Sequence, residues 1–312
     1  MSVKIDSQTV ERFIERQLGE WPLAAKNFAA LAGVRVKTLD VGGMPIKVQF
    51  NPARIVSSGA KVDARTVAAR PCFLCEANRP GEQSGIDLDG RYTLLVNPFP
   101  IFPRHLTVPA NEHVDQRIGG RMADMLQLAA DLKGYTVFYN GPRCGASAPD
   151  HMHFQAGNSD FLTLDEIVGG GVLKSVKSSG GASLYVSANQ PLKYFLIDSD
   201  SPTAGAELFE RLVKAIPMTN GDDEPMMNIL AYAVDNGTRA VIVPRKRHRP
   251  SFYGDGTDDT MMISPASVDM GGVFITPLEK DFERLDSNLI KKIFDELCLN
   301  TNEINEIASH VI

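Results

Sequence analysis

The stretch Asp150-His151-Met152-His153-Phe154-Gln155 decides how the rest of this chain is read. Side chains on an extended strand alternate between faces, so His151, His153 and Gln155 are expected to share one face. Packing alone gives little reason to line up two imidazoles and an amide. Chemistry does: one imidazole can serve a metal while the next meets a substrate phosphate with an amide beside it.

Working outward, Cys72-Phe73-Leu74-Cys75 supplies a close cysteine pair, while Cys144 and Cys298 stand alone. Zinc takes four ligands from Cys and His, and a CxxC knuckle with distant histidines is a common source. Cys72, Cys75, His113 and His151 are therefore the expected ligands of a structural zinc ion. Two buried cysteines acting as small hydrophobes, or a redox pair, are the alternatives, but no thioredoxin-like pattern surrounds the motif. His105 lies in an apolar run and reads as a satisfied core histidine.

His153 is then free to act as a nucleophile toward an α-phosphorus, forming a phosphoramidate that a second acceptor cleaves. Gln155 would hydrogen-bond a non-bridging phosphate oxygen. The loop Gly141-Pro142-Arg143-Cys144-Gly145-Ala146-Ser147 directly precedes this segment. It can aim backbone amides, the Arg143 guanidinium and the Ser147 hydroxyl at further phosphates.

The chain has 312 residues, 43% hydrophobic and 22% charged, as in a soluble globular protein with one large or two ordinary domains. A net charge of −6 argues against a broad nucleic-acid surface, so any phosphate site must be local. No membrane span or secretory leader is evident, which makes the cytoplasm the expected location and fits the sparse cysteines.

Periodicity predicts helical text from Ser7 to about Ala32, broken near Gly19, and a hairpin of 35–39 with 46–50 turning at Gly42-Gly43. Strands are expected at 92–96, 105–108 and 135–139, with one long amphipathic helix over 115–132. The second half should hold a strand at 194–197, a helix over 204–216 and a hairpin turning at Asp235-Asn236-Gly237. A mobile loop over 249–260, a strand at 272–276 and a helix over 287–299 should follow. Together these predict an α+β protein with largely antiparallel sheets and packed helices, divided into a catalytic half, 1–160, and a second half, 161–312, without a catalytic motif.

The residues from Asn140 through Ser147 to the His151-Met152-His153-Phe154-Gln155 segment resemble the active-site strand of the nucleotidyltransferase branch of the histidine-triad superfamily. That branch holds galactose-1-phosphate uridylyltransferases, diadenosine tetraphosphate phosphorylases and GDP-hexose phosphorylases. Cys72 to Cys75 with Asn78 and Arg79 looks like the uridylyltransferase zinc knuckle. Val96 to Pro100, His105 to Pro109 and His113 resemble the strand pair of histidine-triad proteins. Gln49-Phe50-Asn51-Pro52-Ala53-Arg54, Asn228-Ile229-Leu230, Val243-Pro244 and Ser264 to Val273 are similar to GDP-hexose phosphorylases. Pro191-Leu192-Lys193 is similar to an element of both phosphorylase groups. Met152 stands where the uridylyltransferases carry Pro.

The resemblance implies two histidine-triad-like halves sharing one active site. It also implies nucleotide transfer through a nucleotidyl-His153 intermediate, with Asn140, Arg143, Gly145, Ser147, Asn51, Arg54 and Lys193 contacting substrate. Phosphorolysis of a nucleotide sugar such as a GDP-hexose is the first expectation. Dinucleoside polyphosphate phosphorolysis, uridylyl transfer to a hexose phosphate and a non-catalytic nucleotide sensor are the alternatives. Phosphate is the expected co-substrate and a homodimer a possible assembly.

Overall fold

A computed structural model describes residues 5–55, 64–218, 221–254, 257 and 259–311. Ten strands form one sheet: β3 (Gly85–Leu88), β4 (Tyr92–Val96), β5 (His105–Pro109), β6 (Tyr135–Asn140), β7 (His153–Asn158), β8 (Leu173–Ser179), β9 (Ala182–Ser187), β10 (Phe195–Ser199), β11 (Met227–Val234) and β12 (Gly237–Pro244). Their spatial order is β3-β4-β5-β7-β6-β11-β12-β10-β9-β8, and every pairing is antiparallel. The order 3-4-5-7-6 on one side of the β6–β11 pair is matched by 8-9-10-12-11 on the other. Each set of five strands also places a helix, Met122–Asp131 or Pro202–Ala215, between its third and fourth strands. The same β-β-β-α-β-β order thus occurs twice, and no break in the sheet marks the 160/161 division.

Alternation along the strands gives this sheet two buried faces. Val137, Tyr139, Phe154, Ala156, Ile229 and Ala231 face one core. Phe138, Leu230, Tyr232, Val241 and Val243 face the other. The first core is closed by the helices Ser7–Glu20, Met122–Asp131, Pro202–Ala215 and Thr301–His310, whose apolar residues recur every three or four positions. The second is closed by the helices Leu164–Gly170, Ser267–Met270, Glu279–Arg284 and Ser287–Leu297 and by a three-stranded sheet of β1 (Arg35–Val41), β2 (Met44–Phe50) and β13 (Val273–Thr276). β13 comes from the far end of the chain and pairs parallel with β2. The C-terminal segment therefore completes the sheet that the N-terminal segment begins.

The α+β architecture with mainly antiparallel sheets is as the sequence predicts. The β1–β2 hairpin turns at Gly42 and Gly43, whose φ angles of 62° and 84° suit a two-residue turn that residues with a Cβ rarely enter. Several boundaries differ. The first helix continues through Gly19 to Glu20, and the break falls at Trp21, before Pro22 opens the next helix. The helix expected over 115–132 begins only at Met122. Its first residues instead form a loop that carries Gln116 into the interior. β3, β8 and β9, and the helices Leu164–Gly170 and Thr301–His310, are additions to the expected set. Of the loop expected over 249–260, residues 255, 256 and 258 lie outside the described residues.

Candidate active site and metal centre

The Cys/His cluster assembles as anticipated. Cys72 Sγ lies 3.2 Å from His151 Nδ1, and Cys75 Sγ lies 3.2 Å from His113 Nδ1 and 3.5 Å from His151 Nδ1. All four ligand atoms fall within 4.8 Å of one another. Tetrahedral zinc with ordinary bond lengths would set each sulfur–nitrogen edge at about 3.6 Å, close to these separations. The donor set can hold a metal ion without rearrangement of the backbone.

His151 Nε2 sits 2.8 Å from the Ala110 carbonyl, which can only accept, so Nε2 carries the proton and Nδ1 turns its lone pair to the sulfurs. Asn78 and Arg79 donate to the carbonyls of Cys72 and Leu74 at 2.9 and 3.0 Å, shaping the knuckle. Arg70 ties it to the next loop, reaching the Ser147 carbonyl at 3.1 Å and Asp150 at 3.3 Å.

His151 does not share a strand face with His153. β7 begins at His153; His151 lies in a bend whose N–H returns to the Ala148 carbonyl at 3.2 Å. The pair is coupled through the backbone instead, because His153 Nδ1 donates to the His151 carbonyl at 2.8 Å. That bond fixes the tautomer and leaves Nε2 of His153 with its lone pair available. Burial holds the His153 pKa down near 4, with the hydrogen bond to His151 opposing this in part.

A residue that sequence reading missed secures this geometry. Gln116, fully buried, accepts from the His153 N–H at 2.8 Å and donates to the carbonyls of His153 and Asn140 at 3.1 and 2.9 Å. It lies between exposed residues in a loop, so no periodicity points to it.

Gln155 and Asn140 are oriented by their surroundings. His105, buried and satisfied as expected, accepts the Ile101 N–H at Nδ1 (3.1 Å), so its Nε2 must donate to Gln155 Oε1 at 3.1 Å. Asn140 Oδ1 accepts from Asn228 Nδ2 at 3.0 Å and from the Ser267 N–H at 2.8 Å. Both amides thereby commit their oxygens to the protein and keep their NH2 groups as donors. Phosphate oxygens, which only accept, are the natural complement.

The glycine-rich loop is pressed against the second half of the chain. A Cβ on Gly145, whose φ is 99°, would fall 2.6 Å from Ala266 Cβ, so both space and conformation demand glycine here. Asn228 also holds the Cys144 carbonyl at 2.9 Å and in turn accepts from the buried Arg245. Asn228, Arg245 and Ser267 thus shape a loop some 80 to 130 residues away in sequence, as the sequence separations of 84 and 127 record.

The other anticipated substrate residues are dispersed. Arg143 is exposed and ion-paired with Asp222. Ser147 is exposed, and its backbone carbonyl accepts from Arg70. Asn51 is buried at the end of β2, its N–H on the Thr276 carbonyl at 2.9 Å and its side chain 3.3 Å from Gln49. Arg54 donates to the Phe99 carbonyl at 2.6 Å. Its guanidinium is enclosed beside His105 and Asp269, and burial lowers its pKa to about 10. Lys193 directs its ammonium to the Gln190 and Ala188 carbonyls at 2.5 and 3.3 Å, and so belongs to the second half of the chain rather than to the His153 cluster.

The chain is similar to known proteins along most of its length. Residues 13–158 match the model of a domain of unknown function (DUF4922), and residues 174–312 match a GDPGP1-like C-terminal domain. An 81-residue segment is 37% identical to diadenosine 5',5'''-P1,P4-tetraphosphate phosphorylase 2 of Saccharomyces cerevisiae. The C-terminal part of the chain is thus similar to a GDPGP1-like domain, and a segment of the chain is similar to an Ap4A phosphorylase. The segment covers 22% of the chain and 25% of the yeast enzyme, so the chain spans about a quarter of that relative's length in this match. The solved yeast Ap4A phosphorylase Apa2 shares the fold: TM-score 0.57, 20% identity, 89% of this chain and 94% of Apa2 covered. Its complex with Ap4A gives a TM-score of 0.56 at 20% identity over 92% of this chain and 97% of that one. Among the described residues no helix is long and apolar enough to cross a membrane.

Proposed function

We propose that this chain is a phosphorylase that transfers a nucleoside monophosphate through His153, with a nucleotide sugar such as a GDP-hexose as donor and inorganic phosphate as acceptor. The observation that supports this reading is the fixed tautomer of His153, with Nδ1–H held by the His151 carbonyl and Nε2 left with its lone pair, two residues before Gln155 on the same strand. Nε2 attacks the α-phosphorus, a P–N bond forms, and the bond to the departing sugar phosphate breaks. The leaving group departs as a phosphate anion and needs no proton. Phosphate then attacks the same phosphorus, breaks the P–N bond and releases the nucleoside diphosphate. While the ring is nucleotidylated and cationic, the Nδ1–H bond to His151 becomes charge-assisted and steadies it. The NH2 groups of Gln155 and Asn140 stabilise the crowded, charged phosphorus.

The metal is assigned as zinc, held by Cys72, Cys75, His113 and His151. Zinc bound there would serve as a structural clamp, since all four positions are filled by protein. What the chain's own residues do is transmit the clamp: His151 anchors His153 through its carbonyl, and Ala110 anchors His151. The free cysteines fit a reducing compartment, and we place the protein in the cytoplasm.

A GDPGP1-like C-terminal half favours a nucleotide sugar. A second reading, Ap4A phosphorolysis, is favoured by the yeast relative and by the fold shared with Apa2, which has been solved with AMP and with Ap4A. Incubation with α-labelled GDP-hexose or Ap4A, quenched in alkali, tests both. Label on His153 from the sugar nucleotide supports the first, label from Ap4A alone supports the second, and no acid-labile label from either would falsify nucleotidyl transfer.

A further inference from the structure

Three consecutive acidic residues, Asp222-Asp223-Glu224, lie between the helix Pro202–Ala215 and β11, a run that reads in sequence as a solvated turn. Two of them fasten this connection to the surface of the first half. Asp222 pairs with Arg143 of the glycine-rich loop, and Asp223 pairs with Arg117 at 2.6 Å. Glu224 turns inward instead and is only 8% exposed. A buried carboxylate is costly unless hydrogen bonds take up its charge. The donors that do so here identify its role.

The two oxygens of Glu224 accept the Ile118 N–H at 2.9 Å and the Tyr139 hydroxyl at 2.5 Å. Tyr139 is fully buried; burial first, and then the neighbouring carboxylate, hold its pKa well above the ordinary tyrosine value, so its hydroxyl keeps the proton and donates. Ile118 lies two residues beyond Gln116, whose side chain holds the N–H and carbonyl of His153. Tyr139 directly precedes Asn140, whose carbonyl Gln116 also holds. Gly141 lies against the same connection. Its N–H reaches the Met227 carbonyl at 3.1 Å, and a Cβ there would fall 2.9 Å from that oxygen and 3.5 Å from Glu224 Oε1.

One carboxylate from the second half therefore pins both the loop that carries Gln116 and the end of β6 that carries Asn140. We infer that Glu224 is a positioning residue for His153, acting through Ile118 and Gln116 on one side and through Tyr139 on the other. The inference rests on the reading of His153 as the nucleophile. Without the carboxylate, the Ile118 N–H and the Tyr139 hydroxyl become buried donors lacking an acceptor, and the Gln116 loop loses its fixed place. Glutamine is the informative conservative change. Its oxygen can accept the Ile118 N–H while its NH2 donates to the Tyr139 oxygen, so the clamp survives without the charge.

Phosphorolysis of a GDP-hexose and of Ap4A by the full chain, with kcat and KM resolved, tests this together with amide hydrogen exchange read by mass spectrometry. Glu224→Ala should lower kcat on the order of a hundredfold, as a displacement of about 1 Å at His153 would, while KM is largely retained. Exchange over 116–118 and 152–154 should quicken in the same variant. Glu224→Gln should recover most of the lost kcat and keep that exchange slow. Tyr139→Phe deletes one of the two hydrogen bonds and keeps the ring, so it should fall between these and serves if Glu224→Ala does not fold. Wild-type kcat in the folded fraction of either disruptive variant, or unchanged exchange over 152–154, would overturn the inference. Wild-type protein that transferred nucleotide from neither donor would defeat the proposed reaction instead, and the exchange rates would still decide whether Glu224 holds His153 in place.

Discussion

Replacing Gln116 should separate catalysis from folding more sharply than any change to the nucleophile. Its side chain makes three hydrogen bonds at 2.8, 2.9 and 3.1 Å, all to the backbone of His153 or Asn140. Gln116→Ala orphans one N–H and two carbonyls in a fully buried position. At about 1–3 kcal/mol per orphaned group, and with water entering the vacated space to recover part, the loss should be about 3–5 kcal/mol of stability. The catalytic loss has another origin. Gln116 fixes the start of β7, and a displacement of about 1 Å at His153 Nε2 would lower kcat on the order of a hundredfold. Gln116→Glu preserves size and the acceptor for the His153 N–H but turns an oxygen toward two carbonyls, so it should also lower kcat. The assay is phosphorolysis with kcat and KM resolved, together with urea melts and metal content. A fall in kcat with KM and metal content retained is expected. Reduced stability with wild-type kcat in the folded fraction would show that Gln116 is only a packing element and would refute the positioning role.

Other outcomes follow from the same geometry. His153→Gly should abolish turnover and labelling while metal content and fold persist, whereas Gln155→Ala should cost about 2–4 kcal/mol of transition-state stabilisation; an active His153→Gly enzyme would exclude the covalent route. Purified protein should carry about one zinc per chain, and Cys75→Ser or a strong chelator should lower Tm markedly because the ion's binding energy is folding energy; elemental analysis finding none would remove the zinc assignment. Arg143→Ala should weaken donor binding and, by stripping the partner from Asp222, whose side chain is only 8% exposed, lower stability by about 1–3 kcal/mol. Asp222→Asn should then tighten donor binding by releasing Arg143, and unchanged KM in both variants would make the loop an ordinary turn. Asp269 is 6% exposed, and burial raises its pKa to about 7, only partly offset by the N–H groups of Ala266 and Ile275. Its folded pKa exceeds the unfolded one, so the native state holds a proton that the unfolded chain loses between about pH 4 and 7. Stability from this group therefore falls as pH rises through that window, by up to about 1.4 kcal/mol per unit. Urea melts at several pH values should show this slope in the wild type and lose it in Asp269→Asn; equal slopes would contradict it.

Short-range signals were enough for much of this protein. The CxxC spacing and the histidine segment named the side chains of the Cys/His cluster, because the donor set of a metal site constrains residue type as well as position. Two-residue periodicity and turn chemistry likewise marked β1, β2, β4, β5, β6 and the β11–β12 hairpin. The error at His151 has a local cause: alternation assumes that the strand already runs there, and the bend onto Ala148 precedes it. The error over 115–121 is similar, since apolar spacing cannot reveal that Gln116 is needed in the interior. Beyond these, the decisive contacts are long-range. Asn228, Arg245 and Ser267 reach the first-half loop only because β11 pairs with β6 and the chain returns over the same end of the sheet. β13 finds β2 across more than 200 residues of sequence. Single polar residues at such distances carry no spacing pattern, because their role is set by which strand becomes their neighbour, and that is settled by the burial of two faces of one continuous sheet.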